Sequence, residues 1–349
     1  MRTIDLRSDT VTHPTPEMRQ AMAEAEVGDD VLGDDLTTQR LEAMGAERTG
    51  KEAALFVSSG TMGNLLAILS WCNRGDEVVL GSEAHVLWHE SAGSAAIAGA
   101  LLRTVPNDDR GRLNPDDVEA AIRAYRSGVS PTGLVAMENT HNRCSGAALT
   151  AADTKAIADV AHKHGLPMHL DGARIFNAAV ALGVPVSNLT ADIDSVTFCF
   201  SKGLSAPIGS MLCGTQEFID KARKWRKMLG GGMRQVGVIA AAATVALEQM
   251  VPRLAEDHVN AKQLAQGLVG IPGISIDPAK IETNIVIFEW QGGNHPEFMA
   301  KLADAGVKAS SSGEPKTRMV THWGINGEDI QEALEVIAAV AKDAMGAKA

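Results

Sequence analysis

Short apolar runs alternate with longer stretches of helical periodicity through the first two thirds of the chain. The runs at 53–58, 77–80, 101–105, 134–138, 167–170, 195–200 and 210–213 predict strands, because each is brief, nearly all apolar and bounded by turn residues. Helical patterns between them start near Thr61, His89, Asn114 and Thr150. Pro115-Asp116-Asp117 opens the third of these, and Thr150 caps the fourth. Strands that are apolar along their whole length, alternating with helices, predict a mostly parallel sheet covered on both faces. Ligands of such sheets bind at the carboxyl ends of the strands. Beyond about residue 215 helical periodicity fills 216–270, followed by short strands near 283–290, 307–311 and 317–321 and a last helix from about Asn326. This predicts a smaller α+β unit, with a boundary near 250–275 and a turn at Pro272-Gly273.

Composition narrows the partners. The 349 residues suffice for two domains and a sizeable core. With 32 Lys and Arg against 43 Asp and Glu, the net charge of −11 argues against nucleic acid or an anionic membrane. Cys72, Cys144, Cys199 and Cys213 form no C-x-x-C pair, so zinc-ribbon and redox motifs are unsupported and a reducing compartment is the simpler reading. The N-terminus lacks an apolar signal segment, and the longest charge-free stretch, 53–73, is interrupted by Ser58, Ser59, Gly60, Thr61, Gly63 and Asn64. The expectation is a soluble cytoplasmic protein.

Three segments at predicted strand ends carry chemistry. Ser58-Ser59-Gly60-Thr61-Met62-Gly63-Asn64 offers backbone N–H groups and hydroxyls at a helix start, which suits a phosphate or makes a capped glycine turn. It has neither Walker nor G-x-G-x-x-G spacing. In His169-Leu170-Asp171-Gly172-Ala173-Arg174, Asp171 closes an apolar strand, as a functional carboxylate or as one half of a buried pair with Arg174. Lys202, in Phe200-Ser201-Lys202-Gly203, either snorkels to solvent or is a desolvated amine poised to form a Schiff base. A phosphate cradle, a buried acid and an amine on one sheet edge together fit pyridoxal phosphate: the cradle for its phosphate, Asp171 for the ring nitrogen, Lys202 for the aldehyde.

The same segments, with Asp5–Thr12, Val27–Val31, Glu138-Asn139-Thr140-His141-Asn142 and Trp225–Gln235, run in order through nearly the whole chain. In them the sequence resembles the low-specificity L-threonine aldolases, pyridoxal-phosphate enzymes of fold type I. The resemblance implies an α/β chain of that fold: a large domain over 1–250, including the N-terminal segment, with a mostly parallel seven-stranded sheet, and a smaller C-terminal α+β domain over 251–349. It implies that Lys202 carries the cofactor, Asp171 holds the ring nitrogen, Gly60 and Thr61 cradle the phosphate and His85 stacks on the ring. Arg174 would reach the phenolic oxygen and the substrate carboxylate, with Ser8 and Arg318 completing the carboxylate clamp. Lys227 and Arg234 would reach a neighbouring subunit's cofactor, implying a homo-oligomer, commonly a dimer of dimers.

The implied reaction is retro-aldol cleavage of L-threonine and L-allo-threonine to glycine and acetaldehyde by a carbon–carbon lyase. Alternatives are an aldolase tuned to bulkier substrates such as phenylserine, and a β-eliminating lyase or transaminase of the same fold. His85, His89 or a bound water would take the hydroxyl proton. One departure is that 127–133 lacks the second histidine many relatives place there, leaving His141 as a substitute or a structural turn residue. The H-x-x-x-H-E run at His85, His89 and Glu90 lacks H-E-x-x-H spacing, so no metal site is expected. The acidic run 28–35 is no EF-hand loop and reads as an ordered segment near the subunit interface.

Overall fold

The computed structural model describes residues 3–346. Ile4–Asp5 (β1) opens the chain, and Ala53–Val57 (β2), Glu77–Gly81 (β3), Leu101–Val105 (β4), Thr132–Glu138 (β5), Met168–Asp171 (β6), Ser195–Cys199 (β7) and Ser210–Gly214 (β8) form one sheet in the order β2-β8-β7-β6-β5-β3-β4. Strands β7, β6, β5, β3 and β4 pair in parallel, and only β8 runs against its neighbours β2 and β7. The chain is thus an α/β fold with a mostly parallel seven-stranded sheet, as the apolar runs predict. Six of the seven strands, all but β4, are buried at nearly every position, which is why they read as largely apolar runs.

The C-terminal part adds Ile274–Ser275 (β9), Ile285–Trp290 (β10), Val307–Lys308 (β11), Ser310–Ser311 (β12) and Lys316–Val320 (β13). Strands β12, β13, β10 and β9 make an antiparallel sheet in that order. The single strand expected at 307–311 divides: β11 pairs in parallel with β1, while β12 joins β13. Ile4 and Leu6 share a core with Phe288, Trp290, Phe298 and Ile337, so the first residues pack with the C-terminal sheet rather than with the large one.

Helix caps follow the sequence where capping side chains stand. Thr150 and Asp153 form a reciprocal capping box on Ala151–Lys163, and Asn114 accepts from Asp116 N at the start of Pro115–Ala121. Four helices go beyond the sequence reading, Pro16–Ala23, Leu36–Thr49, Ile175–Leu182 and Val186–Leu189. The second has few apolar residues, yet Asp35 caps its start and Gly50, at φ +65°, ends it. Its Gly45 packs so tightly on β8 that a Cβ there would lie 2.9 Å from Met211. No helix begins at His89; a four-residue turn, His85–Trp88, precedes it, and Ser91 and Ala92 take positive φ before a wider turn at Ser94–Ala98. The helical run 237–268 is long and apolar enough by length and composition to cross a membrane, and here its Ala240, Ala242, Leu254 and Leu264 are buried in the cores.

Candidate active site

Parallel strands β6 and β7 deliver their carboxyl ends side by side. Asp171 is the last residue of β6, and Lys202 follows the end of β7 in a tight turn closed by Ser205 N donating to Lys202 O at 2.8 Å. Lys202 lines a cavity of about 460 Å³ with Ser8, Thr10, His85, His89, Asn142, Arg143, Arg174, Ser310–Gly313 and Arg318. Among the described residues its ammonium has no hydrogen-bond or ion-pair partner.

The acid behind the cavity is fully engaged. Asp171 Oδ1 accepts from Ala173 N at 3.1 Å, and Oδ2 accepts from Asn64 Nδ2 at 2.8 Å. Burial pushes this carboxyl up, but the charges of His85 and Lys202 and the Asn64 amide outweigh it and hold the group below the ordinary range. Asn64 also donates to Glu90 Oε1 at 2.8 Å, and its Oδ1 lies 3.1 Å from His169 Nε2. His169 Nδ1 is 2.9 Å from Ser195 Oγ, which accepts from Trp71 Nε1 at 2.9 Å. The hydroxyl therefore donates to Nδ1 and the ring carries its proton on Nε2. Burial lowers the His169 pKa to about 4, so the ring is neutral.

At the mouth two guanidinium groups converge on one oxygen. Arg174 Nη1 and Arg318 Nη2 donate to Asn142 Oδ1 at 3.2 and 2.9 Å. Arg174 is otherwise paired with buried Asp9, whereas Arg318 has no carboxylate partner among the described residues and its Nε is buried without an acceptor. Burial, then the neighbouring Arg174, lowers the Arg318 pKa to about 10. Such a cation calls for an anion. Ser8 Oγ accepts from Thr10 N at 3.2 Å and faces the same cavity.

Ser59 caps the helix Gly60–Trp71 by accepting from Met62 N at 3.2 Å. The N–H groups of Gly60 and Thr61 have no acceptor among the described residues. The helix start abuts the end of β7 so closely that a Cβ on Gly60 would lie 2.9 Å from Cys199 Sγ. An unpaired amine, a buried carboxylate and two free N–H groups beside it fit pyridoxal phosphate as a donor set.

Lys227 and Arg234 lie elsewhere. Lys227 lines a second cavity with Val31, Asp220, Arg223 and Gly232, and Arg234 pairs with Asp29 at 2.9 Å. His141 is buried in a turn, and 127–133 precedes or opens β5 at the amino end of the sheet, so neither lines the Lys202 cavity. Sequence reasoning missed Asp9, Asn64, Glu90 and Asn142 as partners. Asn64 and Asn142 sit inside the quoted motifs, but only their distances assign them work. His85, Glu90 and Asp171 place ligand atoms within 4.8 Å of one another, a spacing that the Asn64 bridge and the His85–Glu90 hydrogen bond account for.

The family model described as beta-eliminating lyase matches residues 5–291. Low-specificity L-threonine aldolase 1 of Arabidopsis thaliana is 45% identical over 340 residues, covering 96% of this chain and 95% of the relative. The low specificity L-threonine aldolase of Escherichia coli K12 is 40% identical over 329 residues, covering 94% and 96%. The solved threonine aldolase of Leishmania major superimposes with a TM-score of 0.81 at 20% identity, covering 97% of this chain and 99% of that one. The chain belongs to the beta-eliminating lyase family, and in it stands with relatives that are low-specificity L-threonine aldolases.

Proposed function

We propose that this protein is a pyridoxal-phosphate-dependent aldolase that cleaves L-threonine and L-allo-threonine to glycine and acetaldehyde. The observation that carries the reading is Arg318, a half-buried cation without a carboxylate partner among the described residues, whose Nε is buried without an acceptor and which lines the same cavity as Lys202. A free amino acid brings the missing carboxylate.

Lys202 would hold the cofactor, Gly60 and Thr61 would receive its phosphate, Asp171 would keep its ring nitrogen protonated and His85 would lie against its ring. When bound, pyridoxal phosphate supplies a sink for the electron pair released as the Cα–Cβ bond breaks. The chain's own residues set the direction of that break. Arg318, Arg174 and Ser8 grip the substrate carboxylate, and planar guanidinium groups fix its rotation about Cα. Asn142 holds the two arginines together through its Oδ1, which accepts from both. Asn64 orients Asp171 toward the cavity.

Lys227, Arg234 and the exposed apolar residues near them support a further part of the reading. Leu32 and Met228, which follow Val31 and Lys227 in the chain, are 76% and 73% exposed. We assign this face to a neighbouring subunit, whose cofactor phosphate Lys227 and Arg234 reach, in a dimer of dimers. Four free cysteines support a cytoplasmic location.

The test is a visible spectrum of the purified protein, then addition of L-threonine with alcohol dehydrogenase and NADH. The expected result is a yellow band, bleached by borohydride with reduction fixed on Lys202, and consumption of NADH. A yellow protein that yields pyruvate from serine but no aldehyde from threonine or phenylserine would replace the aldolase with a β-eliminating lyase.

A further inference from the structure

The turn His85–Trp88 and the residue after it present two imidazoles to the same cavity, and their surroundings differ. His85 Nδ1 lies 2.9 Å from Glu90 Oε1, and Glu90 is anchored by Asn64 at 2.8 Å. The carboxylates of Asp171 and Glu138 also face His85, with Lys202 the opposing cation. Burial alone would discharge this ring, but Glu90 and then the other two acids overcome it and raise its pKa. Its Nδ1 is committed to Glu90.

His89 stands 5.3 Å away, centroid to centroid, its ring tilted by 48°. Among the described residues that ring has no hydrogen-bond or carboxylate partner. Partial burial, then the charges of His85 and Arg143, push its pKa down; Arg318 adds to this and Glu138 opposes it. It is a neutral base with an open lone pair at the cavity mouth, where a proton passes readily to solvent.

We propose that His89, whose ring faces the cavity without a partner among the described residues, takes the β-hydroxyl proton of the substrate, while His85 is held through Nδ1 by Glu90. The inference rests on the aldolase reading above. The O–H proton moves to the His89 ring, the O–H electron pair becomes the second C–O bond of the aldehyde, and the Cα–Cβ pair stays with the glycine fragment. One proton leaves the hydroxyl and one returns to Cα, so no co-reactant is consumed. His89 thereby serves the hydroxyl in a chain whose 127–133 segment holds no histidine.

The holoenzyme with His89→Asn tests this, with His89→Gln as a second variant and the cofactor band as the check on folding. Glycine lacks a β-hydroxyl, so exchange of its Cα proton with deuterated water needs the carboxylate clamp and the cofactor but no hydroxyl base. Acetaldehyde release is expected to fall by about 100-fold with little change in KM, while glycine exchange persists. In cofactor-free wild-type protein, ring proton resonances should show His89 titrating below about 6.5 and His85 above it. Unchanged cleavage, equal loss of cleavage and exchange, or His89 titrating above His85 would overturn the assignment. A wild-type enzyme that exchanges glycine but releases no aldehyde would instead overturn the aldolase reading itself.

Discussion

Arg174 and Asp9 meet in a two-point ion pair, Nε to Oδ2 at 2.7 Å and Nη2 to Oδ1 at 2.6 Å, with both side chains out of water. The pair ties the N-terminal segment to the end of β6 across 165 residues of sequence. It also leaves Nη1 as the arm of Arg174 that points to Asn142 and the cavity. Asp9 is what makes a fully buried guanidinium tolerable: burial alone would raise the acid, yet Arg174 holds it far below the ordinary carboxylate range. Removing one member of such a pair strands the other charge.

Asp9→Ala is therefore expected to cost about 3–5 kcal/mol of stability, read as a lower urea midpoint, and to weaken substrate binding because Arg174 loses its fixed orientation. Asp9→Asn keeps one acceptor and should cost less. A midpoint for Asp9→Ala within error of the wild type would contradict the account.

Arg318 makes the opposite prediction for stability. Its guanidinium has no carboxylate partner among the described residues and its Nε is buried without an acceptor, so the folded protein carries a desolvation cost there. Arg318→Met should hold or raise the melting temperature of the ligand-free protein and leave the cofactor band intact. The same variant should raise KM for threonine by at least about 30-fold, the scale of losing one charged hydrogen-bonded partner. A melting temperature that falls sharply would mean that the residue is structural.

What the sequence made legible follows from how far each signal reaches along the chain. Strands β5 to β8 announce themselves because burial on both faces leaves unbroken apolar runs. Asp171 and Lys202 stand out because a charge at the end of such a run is costly. The helix Leu36–Thr49 does not announce itself, since its buried face is made of Thr37, Thr38, Gly45, Ala46 and Thr49 with Leu41 alone among large apolar residues. Asn64 reaches Glu90 across 26 residues and Asp9 reaches Arg174 across 165, distances over which spacing carries no information. The convergence of Ser8, His85, Arg174, Lys202 and Arg318 on one cavity belongs to the fold; the resemblance named those residues but not the hydrogen bonds that hold them.

Acid sensitivity should trace to His169. The ring is neutral in the folded protein, with Nδ1 accepting from Ser195 and Nε2 donating to Asn64. Its folded pKa is about 4, below the 6.5 of a free histidine, because burial penalises its charged form. The unfolded chain thus binds more protons between these values. Stability is fully present above pH about 6.5 and falls as pH drops toward 4, by roughly 3 kcal/mol in all for this one group. His258, also lowered by burial to about 4, acts in the same window. Urea midpoints of the cofactor-free protein at pH 7 and pH 5 should therefore differ, and His169→Gln should shrink the difference while lowering stability at pH 7. An unchanged pH dependence in that variant would assign the effect to other groups.

Subunit mixing tests the reach of Lys227. In the folded chain this residue lines a cavity separate from that of Lys202. If it serves a neighbour across a two-fold axis, Lys202→Ala and Lys227→Ala damage different halves of a composite site. Each variant alone is expected to be inactive or nearly so. Mixed in equal amounts, unfolded and refolded together with cofactor, they should form hybrids in which one subunit supplies an intact Lys202 and its neighbour an intact Lys227. For a random mixture of two-fold pairs, half are hybrids and each hybrid has one complete site of two, so activity should return to about a quarter of the wild-type value. The pairing is isologous, so the other site of each hybrid carries both defects and adds nothing. A mixture that stays inactive while each variant keeps its fold would place Lys227 outside any neighbour's site, and Lys227→Ala at full activity alone would remove it from the reaction.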